Sequence, residues 1–152
     1  MSQTANSRRN FLKTGAIAVL ASILAPHMVL AEEADVKAAL DKLYSGKTMA
    51  AGKIKLDLPQ IAENGLVVPI GIDVESPMTD ADYVKAVHIF ADGNPLPNVI
   101  SYRFTPECGK ASASARMRLA KTQNILAVAE MSNGQLFTAK QEVKVTIGGC
   151  GG

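Results

Sequence analysis

From residue 54 onward, apolar and polar residues alternate along most of the chain, which is the pattern of strands that bury one face. Clusters of Gly, Pro, Asn, Asp and Ser interrupt the alternation at short intervals, as turns between strands do. Asn133-Gly134 is a strong signal for a hairpin turn. Val143, Val145 and Ile147 are expected to point inward from the last strand. Strands are predicted over residues 54–58, 66–74, 84–90, 99–104, 112–120, 125–130 and 135–147.

Before residue 54 the period is that of a helix. Val36, Leu40 and Leu43 recur at helical spacing within residues 32–44. Acidic residues occupy the first turn, where the helix dipole favours negative charge, and Gly46 is expected to end the helix. One helix followed by seven short strands predicts an all-β domain over residues 32–147, an immunoglobulin-like antiparallel β-sandwich with a short N-terminal helix.

The N-terminus has the organisation of an export signal. Residues 7–13 read Ser-Arg-Arg-Asn-Phe-Leu-Lys, the twin-arginine pattern, with Arg8 and Arg9 as its paired arginines. An uncharged apolar run over residues 14–25 is too short to span a bilayer, and small residues before Glu32 offer a cleavage site after Ala31. A cleaved signal peptide over residues 1–31 is therefore predicted, which places the mature protein in the periplasm without a membrane anchor.

The chain's charge also depends on this signal. The formal net charge of the full chain is +2, and cleavage removes Arg8, Arg9 and Lys13 but no acidic residue, which leaves −1. Nothing then favours nucleic-acid binding. About 120 residues remain, which suits one domain. The twin-arginine route exports folded proteins, often with a cofactor or a partner; no cofactor motif is present, so a partner is favoured.

The sequence ends in Gly148-Gly149-Cys150-Gly151-Gly152. Glycines leave the backbone free, so residues 148–152 are predicted to form a slender, flexible arm of roughly 17 Å when extended. A free thiol has a pKa of about 8.5, and no neighbouring positive charge activates this one. Cys150 is therefore interpreted as a covalent attachment point whose reactivity comes from the enzyme that receives the arm. Replacement of Gly149 and Gly151 with valine is expected to slow turnover by such enzymes more than it changes stability.

Two alternatives to a carrier role are open for Cys150, and the first of them involves Cys108. It lies in a predicted turn between strands, and cysteines often pair in an oxidising compartment. A Cys108–Cys150 disulfide would fold the arm back, as a structural staple or as an off state. An inert, frayed tail is the other alternative. Cys108 is interpreted as an unpaired or partly buried thiol, and as a possible redox partner of Cys150.

Other candidate sites are weak. His88 falls in mid-strand and is the only histidine after cleavage, so a structural or surface role is expected. The cysteine and histidine spacings match no zinc or haem site, and the scattered methionines fit core packing. Asp73, Asp80 and Asp82 are expected to be solvated, and no catalytic constellation can be argued. No metal, no cofactor and no catalytic activity of its own are predicted.

The Gly-Gly-Cys-Gly-Gly terminus, the twin-arginine signal and the small β-sandwich together resemble the SoxY family, the sulfur-carrier subunits of the SoxYZ complex in the bacterial thiosulfate-oxidising (Sox) system. The resemblance implies a heterodimer with SoxZ, or higher oligomers of that pair, and SoxZ would be exported with the carrier. It implies that the haem enzyme SoxAX attaches thiosulfate to Cys150 as an S-thiosulfonate. SoxB would then release sulfate, and a sulfane dehydrogenase or a transfer route would take the remaining sulfur. Gly148, Gly149, Gly151 and Gly152 would be the flexible setting of the cysteine.

The sequence leaves three other classes of protein as alternatives. An immunoglobulin-like structural module with a Cys108–Cys150 disulfide would have an unreactive Cys150. A ubiquitin-like carrier loads its terminal glycine in the cytoplasm, which the export signal argues against. An enzyme in its own right would need a catalytic group placed beside Cys150, and the sequence offers none.

Overall fold

The computed structural model describes residues 33–149, which form a β-sandwich with one short helix. The helix α1 and all seven predicted strands are confirmed, with ends within a few residues of the prediction. Two further strands, β1 and β3, were not predicted. The elements are α1 Glu33–Tyr44, β1 Met49–Ala51, β2 Ile54–Asp57, β3 Ile61–Asn64, β4 Val68–Val74, β5 Val84–Ala91, β6 Asn98–Arg103, a 3₁₀ turn Pro106–Cys108, β7 Ala111–Met117, β8 Gln123–Met131 and β9 Leu136–Ile147.

Two sheets pack face to face. The larger has the order β1-β9-β8-β5-β6, with β3 also paired to β9, and the smaller has the order β2-β4-β7. Strands β1 and β3 both run parallel to β9, whereas the other pairings are antiparallel. Since β8 occupies one edge of β9, the two short parallel strands share the other edge. The prediction of antiparallel neighbours alone therefore missed this edge of the sheet.

Both faces of the large sheet are covered by apolar side chains. Ile89, Ile125 and Ala127 face the smaller sheet and lie in the main core. Phe90 and Val128 face the other way and are covered by Val36 and Tyr44 of α1, which form a second core cluster with Leu136. Strands β5 and β8 are thus buried on both faces, which is why their sequences are apolar with little alternation.

Strand β9 leads directly to Gly148, where the predicted arm begins. Val143 is fully buried and Val145 packs partly against the main core, as the alternation predicted. The inward prediction for Ile147 is wrong, because this residue lies beyond the end of the core and its side chain is 67% exposed. The strand ends at Ile147. The chain beyond it starts from the rim of the sandwich.

Candidate functional site

The base of the predicted arm is held by main-chain hydrogen bonds to two other segments. The Gly149 N–H donates to the Leu119 carbonyl at 2.8 Å, and the Gly65 N–H donates to the Ile147 carbonyl at 2.7 Å. The Leu119 N–H donates to the Gly65 carbonyl at 2.8 Å, which closes the arrangement. We call the meeting of these three segments, around Gly65, Leu119 and Gly149, the backbone junction.

Glycine is required at the junction for close approach rather than for freedom alone. A Cβ at Gly149 would lie against the main chain of Gly65, 2.6 Å from the Leu66 nitrogen. A Cβ at Gly148 would overlap the Ala120 carbonyl oxygen, and one at Gly65 would lie 2.7 Å from the Gly149 nitrogen and against the Leu119 carbonyl. Real Cβ atoms do not approach backbone so closely, so these three positions exclude a side chain unless the junction opens.

This geometry revises two expectations about the arm. Gly149 is buried and hydrogen-bonded, so it lies in a packed setting where the sequence suggested free chain. Valine at Gly149 should therefore cost stability, which the sequence-based expectation did not include. Cys150, Gly151 and Gly152 lie outside the described residues, as do Arg8 and Arg9 and the predicted signal peptide.

Buried polar side chains hold the Leu119 segment in place. Asn94 and Gln123 are only 7% and 4% exposed. The Asn94 side chain donates to the Arg118 carbonyl at 2.8 Å and accepts from the Ala120 N–H at 3.0 Å. Gln123 donates to the Asn94 side-chain oxygen at 3.0 Å and accepts from the Gly93 N–H at 2.7 Å. The acceptor of the Gly149 bond thus lies on a segment that is fixed from both sides.

Exposed apolar side chains lie next to the junction. Leu66, which follows Gly65, is 47% exposed, and Val67 is 57% exposed. Ile147, which precedes Gly148, is also largely exposed. Leu66 and Ile147 adjoin the contact between Gly65 and Gly149 in sequence, so the surface around the arm base carries exposed apolar side chains.

Cys108 lies at the far end of the sandwich from the junction. It is exposed on the 3₁₀ turn before β7, and its sulfur is 3.9 Å from the Thr105 hydroxyl. The junction lies just after β7, whose seven residues span about 20 Å at about 3.3 Å per step. A disulfide needs Cα atoms within about 7 Å of each other. Pairing of Cys108 and Cys150 within one chain would therefore require the end of β9 to detach.

His88 lies on the face of the large sheet that packs against helix α1. Its Nδ1 lies 2.8 Å from the Ser101 hydroxyl, and its ring centroid is 6.0 Å from that of Tyr44. Burial lowers the pKa of His88 below its ordinary value; the Glu130 carboxylate acts in the opposite direction and Arg103 lowers the pKa further. These contacts fit the structural role that the sequence predicted.

Within residues 33–149, no group of three or more His, Cys, Asp and Glu side chains is placed to hold a metal ion. In the same part of the chain, no helix is long and apolar enough to cross a membrane. The predicted solvated carboxylates are not all isolated, because Asp73 forms an exposed ion pair with Lys110 at 2.6 Å.

Comparison with protein families identifies the chain. The model of the family described as sulfur oxidation protein SoxY matches residues 40–150. The chain belongs to the SoxY family. The match runs from α1 through the sandwich and the junction and includes Cys150, so the SoxY assignment rests on nearly all of the domain. A comparison with curated protein sequences gave no significant match.

Solved structures agree with this assignment. The sulfur carrier protein SoxY from Chlorobium limicola f thiosulfatophilum is 32% identical, with a TM-score of 0.64, over 76% of this chain and 100% of that one. Superoxide reductase (neelaredoxin) from Ignicoccus hospitalis is 15% identical, with a TM-score of 0.55, over 78% of this chain and 95% of that one. The second likeness shows a shared fold alone, whereas the first supports a sulfur-carrier role in the Sox system.

The sequence did not reveal Gly65, Asn94 or Gln123 as parts of the arm base. Each fell in or beside a predicted turn or strand end, where such residues are common. The partners that tie them to the arm base lie 24 to 84 positions away along the chain, as in the Asn94–Arg118 bond and the close approach of Gly65 and Gly149. No local pattern reports such contacts. The one signal was the pair Gly148-Gly149 itself, which also fits close approach.

Proposed function

We propose that this protein is a covalent carrier of sulfur intermediates in periplasmic thiosulfate oxidation, with Cys150 as the attachment point. The observation that carries the proposal is the geometry of the chain end. The family match extends to Cys150, and its neighbour Gly149 is hydrogen-bonded to the sandwich. The thiol is thus the first side chain beyond an anchored base.

The proposed loading step is an oxidation. The Cys150 thiolate and thiosulfate join through a new S–S bond to give Cys–S–S–SO₃⁻, and the two electrons pass to a haem enzyme of the SoxAX type. Hydrolysis by a SoxB-type enzyme then breaks the bond between sulfur and the sulfonate group. One water is consumed, hydrogensulfate leaves, and Cys–S–SH remains for a sulfane dehydrogenase or a sulfur-transfer route.

The partner and the compartment belong to the same proposal. A SoxZ-type subunit would form the heterodimer that the SoxY family implies, and the twin-arginine signal with Arg8 and Arg9 would export both subunits in the folded state. The protein has the role of a substrate for these enzymes rather than that of a catalyst. Support for this comes from the sequence of the signal and from the family match over the sandwich.

Mass spectrometry of the protein from the periplasmic fraction tests the proposal. The wild-type protein is expected to lack residues 1–31 and to carry reductant-sensitive sulfur or thiosulfonate additions, which peptide mapping places on Cys150. Cys150→Ser should lose these additions while its melting temperature and its SoxZ binding stay unchanged. Cys108→Ser is the matched control and should keep them. Additions that persist in Cys150→Ser would contradict the carrier role of this cysteine.

A further inference from the structure

The backbone junction is more than the end of a strand. Three segments far apart in sequence meet there through main-chain atoms: residues 64–66, 118–120 and 147–149. The contact between Gly65 and Gly149 is so close that neither residue tolerates a Cβ without displacement of the other. Glycines often occur in turns, but Gly65 and Gly149 instead allow two backbone segments to approach closely at the base of the predicted arm.

The segment that accepts the Gly149 hydrogen bond has no regular structure of its own, since it lies between β7 and β8. It is fixed by Asn94, whose side chain bonds the main chain on both sides of Leu119. Gln123 orients that side chain by donating to its oxygen. Asn94 and Gln123 are the buried amide side chains of residues 33–149, and both bond to this loop or to each other. Burying such groups is unfavourable unless they are fully bonded, so the arrangement specifies one loop position.

We propose that Gly65 and Asn94 are positioning residues for the carrier arm. They fix the position and direction in which the chain leaves the sandwich, and thereby the place from which Cys150 is presented to partner enzymes. The inference rests on the proposed function and deepens it. Neither residue touches the sulfur; both act through the main chain of Leu119 and Gly149.

The anchored base limits the reach of the thiol. Consecutive Cα atoms are about 3.8 Å apart, so the Cα of Cys150 stays within that distance of Gly149. With the base released from Ile147 onward, three steps would extend the reach to about 11 Å. An enzyme that acts on the anchored form must therefore approach the rim near Leu66, and displacement of the base by even 1 Å can slow a positioned reaction up to about a hundredfold.

Gly65→Ala tests this, with Gly71→Ala as the matched control. A Cβ at Gly65 meets main chain of the junction, whereas a Cβ at Gly71 meets only the Asp57 side chain, at 3.1 Å from its Cβ. The mature complex with SoxZ is loaded chemically with tetrathionate. In that reaction the Cys150 thiolate attacks an inner sulfur, forms the S–S bond of Cys–S–S–SO₃⁻ and releases thiosulfate. Sulfate release from the loaded carriers by SoxB is then measured.

We expect Gly65→Ala to leave the rate of chemical loading unchanged and to lower the rate at which SoxB processes the loaded carrier. Tetrathionate should load the wild type, Gly65→Ala and Gly71→Ala at similar rates, because a small reagent needs no particular arm position. Gly65→Ala should lower kcat/KM for sulfate release by about tenfold to a hundredfold relative to Gly71→Ala. Equal values for the two variants would overturn the positioning role. Failure of SoxB to process the loaded wild type would instead count against the proposed function.

A second measurement, amide hydrogen exchange, can be made on the wild-type protein without a substitution in the backbone junction. Hydrogen exchange of the Gly149 amide in the wild-type protein should be slow, because this N–H donates to Leu119, and Asn94→Ala should accelerate it while the amides of β5 and β8 stay protected. Exchange of the wild-type Gly149 amide at the rate of an unstructured residue would overturn the anchored base. This outcome is decisive even if Gly65→Ala fails to fold.

Discussion

At the scale of single residues, His88 shows how a polar group is accommodated between the helix and the sheet. Its pKa is lowered from 6.5, first by burial, with Glu130 opposing the shift and Arg103 adding to it. The unfolded chain therefore takes up the proton at higher pH than the folded protein. The neutral form of His88 stabilises the fold above pH 6.5, and this stability is lost as the pH falls from 6.5 toward the lower pKa of the folded state.

The prediction concerns the slope of stability with pH. Urea unfolding of the wild type should show a free energy of unfolding that decreases between pH 7 and pH 5. His88→Gln, which cannot be protonated, should flatten this decrease, while Glu130 and Arg103 remain as in the wild type. An unchanged slope in the variant would show that other groups control the acid response.

Residues also show how far the site could be predicted. Cys150 and its glycines could be singled out because the motif that they form consists of adjacent residues. Gly65 and Asn94 could not, since a glycine directly before a predicted strand and an asparagine in Asp92-Gly93-Asn94-Pro95 have ordinary explanations as turn residues. Their roles depend on segments that fold against them from elsewhere in the chain.

At the scale of elements, the alternation of apolar residues predicted those strands that bury a face. It missed β1 Met49–Ala51 and β3 Ile61–Asn64, whose sequences Met-Ala-Ala and Ile-Ala-Glu-Asn do not alternate between apolar and polar residues. In β3 only Ala62 is buried, and Ile61 is 61% exposed. These strands exist because β9 offers a free edge, so their existence depends on a partner rather than on their own sequence.

Helix α1 carries a prediction of its own. It covers Phe90 and Val128 of the large sheet, and both are fully buried. A variant that lacks residues 33–44 should expose this apolar face and therefore bind a hydrophobic dye and self-associate. Fluorescence and size-exclusion chromatography measure the two effects.

The control for the helix is its ion pair with β9. Glu33 and Lys140 lie 2.9 Å apart, but their side chains are 77% and 50% exposed. Such a pair contributes little, so Glu33→Ala should leave the elution volume and the melting temperature nearly unchanged. A shortened protein that stays monomeric and binds no dye would show that α1 is not required to cover the sheet.

At the scale of the whole molecule, Cys108 and the junction lie at opposite ends of β7. Mild oxidation should therefore link two molecules through Cys150 rather than close a loop within one. Non-reducing electrophoresis should show a dimer that Cys108→Ser retains, and peptide mapping should find Cys150–Cys150 linkage and little Cys108–Cys150 linkage. A monomer in which these two cysteines are joined would mean that the end of β9 detaches readily.

The central position of β9 has a consequence for how the chain folds. This strand pairs with β8, with β1 and with β3, and the residues that meet in the β3–β9 pairing, such as Ile61 and Lys144, are far apart in sequence. Sandwiches dominated by such long-range pairing fold in milliseconds to seconds, because distant segments must be brought together before contacts stabilise them. Among the described strands, β1 and β3 pair with β9 alone, so their edge of the large sheet can form only when β9 is in place, and the same strand leads to Gly149 at the backbone junction.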